Sequence, residues 1–310
     1  MADAGKNSVK YVYEEVRIHM EFRGAKLFTC QWLPKNSDAK ALIFLCHGYG
    51  MECSISMRGH GKSAGLQGLV SSFDDLVDDC SEYFTHVCEK EENRKKKRFL
   101  LGESMGGAVA LLLHRKKLSF WNGAVLVAPM CKISDELKPH PLVVKMLIIL
   151  CKIVPTWKLM PTQDIIDVAF KDPEKRREVR ENPLCYKGRP RLKTAYELFM
   201  ASQDIEKKLH KVSLPFIVVH GGDDIVTDPS VSQLLYESAA STDKTFKLYR
   251  GCGTPSPPGS RRRASSSSSP ISSPGSTNAR RGELREGTED RARQGNLAAS
   301  RQRESSLLIL

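Results

Sequence analysis

Apolar residues recur along this chain in two rhythms, one of every second position and one of every third or fourth. Three runs come first: Tyr11–Phe22, Lys26–Leu33 and Ala41–Cys46. The first alternates apolar and polar residues and predicts an outer strand. The third, ALIFLC, is unbroken and predicts a strand buried on both faces. Next, Phe73, Leu76, Val77, Cys80, Tyr83, Phe84, Val87 and Cys88 form an amphipathic helical stripe, and Ser71 or Ser72 can cap its start. The charge run EKEENRKKKR closes it as a solvated helix end and turn. FLLG then predicts a strand, Ser104–Arg115 a helix and GAVLVAP a buried strand. Later, PFIVVHG predicts a strand, Pro229–Ala240 a helix and TFKLY a last strand.

Apolar strands alternating with helices predict an α/β fold, a mostly parallel sheet with helices on both faces. Between Met130 and Lys211 lie helical pieces and prolines with no clear strand, which reads as a helical lid inserted into the core. The expected organisation is therefore a core over 1–129, the lid over 130–211, the rest of the core over 212–251 and a tail over 252–310. Ser, Pro, Gly and Arg dominate that tail and aromatics are absent. Such a composition cannot bury enough apolar surface to offset the ordering entropy, so the tail is expected to be disordered.

Charge and cysteine content narrow the function classes. The net charge is +12, but the last 60 residues carry ten Arg and five acids, so the body is only mildly basic. No aromatic-interleaved basic stripe runs through the body, and no nucleic-acid partner is expected. The nine Cys are scattered without a C-x-x-C pair. They read as buried free thiols of a reducing compartment, with no metal site. The first residues lack the apolar run of a secretory signal. The longest apolar segment, LVVKMLIILCKIVP, is broken by Lys145 and Lys152 and is too short to span a bilayer. A cytoplasmic protein is expected, with peripheral membrane contact through the lid as an open option.

Three motifs carry chemistry. GESMG, Gly102 to Gly106, matches the G-x-S-x-G nucleophile elbow, with a strand before it and a helix after it. Ser104 is the candidate nucleophile. The helix N-terminus behind it offers free N–H groups and a positive dipole end to a developing oxyanion. FLCHGYG ends a buried strand with His47-Gly48-Tyr49-Gly50, where the backbone N–H of Tyr49 joins that of Met105 as the expected oxyanion donors. His47 reads as a brace for this turn. VVHGGDDIVTD places acids just past a late strand: Asp224 is the expected orienting carboxylate, Asp223 the lesser choice, and Asp228 a helix cap. Gly61-Lys62-Ser63 suggests a phosphate loop, but Ser56 stands where that motif needs a glycine.

On these residues the chain resembles the monoacylglycerol lipase-like branch of the α/β-hydrolases, and most of all its plant monoglyceride lipase, lysophospholipase and caffeoylshikimate esterase members. The matching text is HGYGMECSISM, GHGKSAGLQG, FLLGESMGGAVALLLHRKK, GAVLVAPMCKISDE, VRENPLCYKGRPRLKTAYELF and LPFIVVHGGDDIVTD. The resemblance implies ester hydrolysis by a Ser-His-Asp triad without a cofactor. It also implies an apolar lid over the acyl pocket and a small-molecule ester, acyl or phenolic-acyl, as substrate.

Two departures from that pattern stand out. After Met57 the family continues through a helix and a strand, roughly twenty residues, whereas here Arg58 leads straight into Gly59-His60-Gly61. One strand is therefore expected to be missing, and after Tyr249 the closing helix as well. The family's base histidine falls at Thr254, and no histidine follows His220. His220, His114 and His60 do not match its position. The chain as written is expected to be nearly inactive, which leaves two alternatives: a hydrolase fold that binds without turnover, or an interaction protein acting through its basic tail. Read one base late, codons for Met-Trp-His encode Cys-Gly-Thr, the residues at Cys252–Thr254. A frameshift or a misjoined exon there accounts for both the tail and the lost histidine. Sequencing the transcript across the Gly251 codon tests this, and an in-frame message encoding the tail sinks it.

Overall fold

The computed structural model describes residues 11–20, 25–35, 37–51, 55–133, 140–158, 164, 166–167, 172–224, 226–249 and 307–309. Among the described residues, nine strands form one sheet: β1 Tyr11–Met20, β2 Ala25–Pro34, β3 Ala41–Cys46, β4 Ile55–Ser56, β5 Lys97–Glu103, β6 Gly123–Val127, β7 Phe216–Gly221, β8 Lys244–Tyr249 and β9 Leu307–Ile309. The order is β1-β2-β9-β3-β5-β6-β7-β8, with β4 also on β2. From β3 to β8 every pairing is parallel, and β1, β2 and β4 pair antiparallel. The sheet is mostly parallel, as the alternation of strands and helices predicts.

The helices are α1 Phe73–Glu89, α2 Met105–Lys116, α3 Pro141–Ile153, α4 Pro173–Glu181, α5 Leu192–Glu206 and α6 Pro229–Ser238. Local chemistry sets their starts. The Ser72 side chain accepts the Asp75 N–H, and the Asp228 side chain accepts the Ser230 N–H, so both expected caps are in place. The apolar stripe of α1 is buried from Phe73 to Cys88. The three helices α3, α4 and α5 lie in the span read as an insertion.

Burial across the sheet is one-sided. Phe44, Leu100, Ala124 and Phe216 stand opposite one another in one row and are all buried. In the next row, on the other face, Leu45, Leu101 and Ile217 are half-buried and Val125 is exposed. The expectation that β3 is buried on both faces therefore holds on one face only. Chain handedness supplies the reason. The steps β3 to β5, β5 to β6 and β7 to β8 all move the same way along the sheet, so right-handed crossovers put α1, α2 and α6 on one face. A helix leading from β3 back toward β2 would step the other way and cover the opposite face. That helix is the one read as missing after Met57.

The core on the covered face is aromatic. The Phe44 ring lies 4.5 Å from Phe84 and 5.7 Å from Trp121, between centroids. Just after Met57, Arg58 donates to Asp79 of α1 at 2.7 Å, which pairs the nearly buried carboxylate. The seven described cysteines are buried and no disulfide joins any of them, in line with the expected thiols. Burial pushes the Cys131 thiol up to about 12 and that of Cys88 to about 11, which makes both poor nucleophiles. No described helix is long and apolar enough to cross a membrane. Residues 250–306 lie outside the described residues, and with them the site expected at Thr254 and most of the expected disordered tail. Leu307–Ile309, at the end of that tail, form a strand.

Phe44→Ala is expected to cost about 3–5 kcal/mol, because three rings share that volume. Urea denaturation followed by tryptophan fluorescence checks it.

Candidate active site

Ser104 stands between β5 and α2 with φ 50° and ψ −115°, a backbone conformation that costs a non-glycine residue about 1–3 kcal/mol. The surroundings hold it there. Its N–H donates to Val127 O at 3.0 Å, and its carbonyl accepts the N–H of Gly107 and of Met130, each at 2.9 Å. The motif glycines are required by close approach. A Cβ on Gly106 would sit 1.9 Å from the Cys46 carbonyl oxygen. One on Gly102 would meet the Gly106 carbonyl oxygen at 2.5 Å, and one on Gly107 the Pro129 ring at 2.5 Å. Met105 opens α2 and is buried, so its N–H belongs to the first turn, which lacks intrahelical partners.

The turn after β3 lies against this elbow. A Cβ built on Gly48 would be 3.7 Å from Ser104 Cβ, so Tyr49 begins one residue beyond Ser104's neighbour. Tyr49 Oη donates to Gly68 O at 2.9 Å. His47 braces the turn: Nδ1 donates to Gly48 O at 2.8 Å, and Nε2 accepts the Met57 N–H at 3.1 Å. Burial, with a smaller push from His60, lowers His47 to about 3, so the ring stays neutral.

Asp224 follows β7, two strand positions from β5, or about 10 Å. Its Oδ1 accepts the N–H of Val226 and of Thr227, and its Oδ2 accepts the Thr227 hydroxyl at 3.0 Å. Asp228 caps α6, and Asp223 is exposed. His220 is enclosed in this same loop. Its Nε2 donates to Thr227 O at 2.8 Å and lies 3.6 Å from Asp224 Oδ2, while Nδ1 meets Ser232 Oγ at 2.7 Å. Both of its nitrogens are engaged in shaping the acid's loop. His114 accepts the Ser213 N–H far along α2, and His60 Nδ1 donates to Arg58 O. The phosphate-loop likeness dissolves: Ser63 Oγ accepts the Phe28 N–H, and Lys62 pairs with Glu15.

Two participants were not singled out from the sequence. Tyr186, from the insertion, donates its N–H to Gly50 O at 2.7 Å and sets its ring 6.1 Å from Tyr49. Gly68 and Gly188 flank that side chain so closely that a Cβ on Gly68 would come 2.5 Å from its ring and one on Gly188 2.6 Å from its hydroxyl. The glycines of CYKGRP and GLQG were the available signal. Glu103, one residue before Ser104, is the second. Burial pushes its carboxyl up to about 7; Lys175 opposes this, and the Asp224 charge adds to it.

Two expectations follow. Gly106→Ala is expected to cost more than about 4 kcal/mol, because backbone must yield, whereas Gly48→Ala stays within about 0.5 kcal/mol; urea midpoints of the two variants check this. Glu103 holds its proton more tightly folded than at its ordinary 4.5. Its contribution is therefore fully present below about pH 4.5 and is lost as pH rises through about 7. Thermal melts of Glu103→Gln are expected to lack that decline.

Residues 53–253 match the family model Hydrolase_4, described as serine aminopeptidase, S33. The caffeoylshikimate esterase of Arabidopsis thaliana is 32% identical over 253 residues, 75% of this chain and 76% of that protein. The human monoglyceride lipase is 27% identical over 77% of this chain and 83% of its own. Among solved structures, a soluble variant of monoglyceride lipase from Saccharomyces cerevisiae in complex with a substrate analog aligns with a TM-score of 0.67 and 19% identity, covering 81% of this chain and 90% of that one. The monoacylglycerol lipase of Paleococcus ferrophilus aligns at 0.60 and 20% identity, over 79% and 90%. Elbow, turn and acid loop thus stand on a matching fold, and the chain belongs to the Hydrolase_4 family as a monoacylglycerol lipase-like α/β-hydrolase, a branch of carboxylic-ester hydrolases.

Proposed function

We propose that Ser104 is the nucleophile of a carboxylic-ester site for monoacylglycerol-, lysophospholipid- or caffeoylshikimate-like esters, in a chain that lacks the proton acceptor for efficient turnover. The observation that carries this reading is the strained Ser104 at the β5–α2 junction, against the Gly48 turn. Its Oγ attacks the ester carbonyl and gives up its proton to water for want of a base. The N–H groups of Tyr49 and Met105 receive the charge that develops on the carbonyl oxygen. Collapse of the adduct expels the protonated alcohol and leaves an acyl-serine that water hydrolyses to the acid. Asp224 is the acid whose place is to orient a base. The base position falls at Thr254, whose hydroxyl is no acceptor of that strength at neutral pH. No other histidine considered stands in: His47 and His220 are engaged through both ring nitrogens, and His114 lies along α2.

The helix α3 supports an apolar acyl group and contact with a lipid surface. Leu142, Met146, Ile149 and Ile153 are each at least 60% exposed on it, and Lys145 and Lys152 interleave with them. No cofactor enters this chemistry.

Hydrolysis of p-nitrophenyl butyrate is expected to run about 10⁴–10⁶-fold below that of a complete triad. Slow fluorophosphonate labelling that Ser104→Ala abolishes is expected beside it. Turnover within tenfold of ordinary esterases overturns the missing-base reading. Ester binding with no labelling favours a binding protein on a hydrolase fold.

A further inference from the structure

The sheet position between β2 and β3 is filled by two pieces from distant parts of the chain. β9 pairs parallel with β3, Ala41↔Leu307 to Ile43↔Ile309, and antiparallel with β2 at Trp32↔Ile309. β4 pairs antiparallel with the same strand β2 at Thr29↔Ile55 and Phe28↔Ser56. Both therefore run antiparallel to β2 and point the same way. Along β2 their adjoining ends face Trp32 and Thr29, three positions apart. Read as Leu307, Leu308, Ile309 and then Ile55, Ser56, they trace one strand interrupted by a short gap.

We propose that the C-terminal segment Leu307–Ile309 completes the sheet in cis, as a replacement strand in the slot that the shortened Met57–Arg58 junction leaves beside β3. Leu42 and Phe44 of β3 are fully buried, and β3 leads into the His47–Tyr49 turn. An open β3 edge would leave N–H and C=O groups unpaired beside a core, which is costly when buried. The sequence of the segment suits the position: SSLLIL is short, uncharged and apolar after a polar stretch. Reach is no obstacle. From β8 the chain must cross five strand positions, on the order of 24 Å, and residues 250–306 precede the segment. At about 3.3 Å per extended residue a fraction of them covers that distance. Leu307–Ile309 accordingly fall in the same compact unit as the other described residues.

Hydrogen–deuterium exchange on the intact chain tests this. The Leu308 and Ile309 amides are expected to exchange at least about 100-fold more slowly than unstructured ones, with the β3 amides protected alongside them. In Leu308→Pro, protection over Ala41–Ile43 is expected to fall at least about tenfold, while β7 and β8 keep theirs. Unprotected Leu308 and Ile309 amides in the unaltered chain overturn the proposal, whether or not the proline variant folds. Protection that rises with protein concentration also overturns it, since the strand then comes from a second copy.

Discussion

The carbonyl oxygen of Cys46 occupies the space that any side chain on Gly106 would need. That contact brings the end of β3 and the first turn of α2 into backbone contact, and the site hangs on it. With α2 seated so closely, Ser104 has no relaxed backbone conformation available and takes φ 50°. The strain is held by main-chain hydrogen bonds that Ser104 donates to β6 and accepts from α2 and the Met130 turn. The same seating brings Gly48 alongside, so the turn that follows β3 and the helix that follows β5 present their N–H groups to one region. A chain with bulkier residues at these glycines would keep its sheet and lose this corner.

Much of this was legible because local signals and global fold agree. Unbroken apolar runs marked the parallel strands, the three-and-four spacing marked α1, and Ser72 and Asp228 cap the helices they were expected to cap. The elbow could be read because a strand precedes its five letters and a helix follows them, and its glycines answer to steric limits that larger residues do not meet. The hand of His47 as a brace was also legible. What escaped has a common cause. Tyr186, Thr194, Arg191 and Glu197 act across more than a hundred residues of sequence, through bonds to Gly50, Gly68, Gln67 and Phe73. No periodicity announces a lone long-range hydrogen bond. The one-sided burial of β3 escaped for another reason: ALIFLC is apolar on both faces whether or not both are covered.

The insertion is tied to the site loops at several points. The Val70 N–H donates to Thr194 Oγ1, which donates on to Gly68 O. Glu197 accepts the Phe73 N–H at the start of α1. Arg191 spans from Gln67 O to Thr156 O. These bonds fix the base of the insertion, around 186–197, to the segment after the shortened junction. Its apolar helix α3 is left as the part that reaches outward. Histidines follow the same economy. His47 and His220 spend their nitrogens on holding turns, so two of the residues most suited to moving protons serve here as fixed struts.

Among the described residues, the sheet face opposite α1, α2 and α6 is only partly covered, which has a consequence beyond the fold. Its row Leu45, Leu101, Val125 and Ile217 is aliphatic from end to end. Water in contact with such a surface favours its removal by whatever apolar surface comes near, including that of another copy. A net charge of +12 opposes that approach by mutual repulsion. Salt shortens the range of repulsion to about 10 Å at 0.1 M and leaves the apolar attraction in force. Added salt therefore shifts the balance between these two opposing terms toward association.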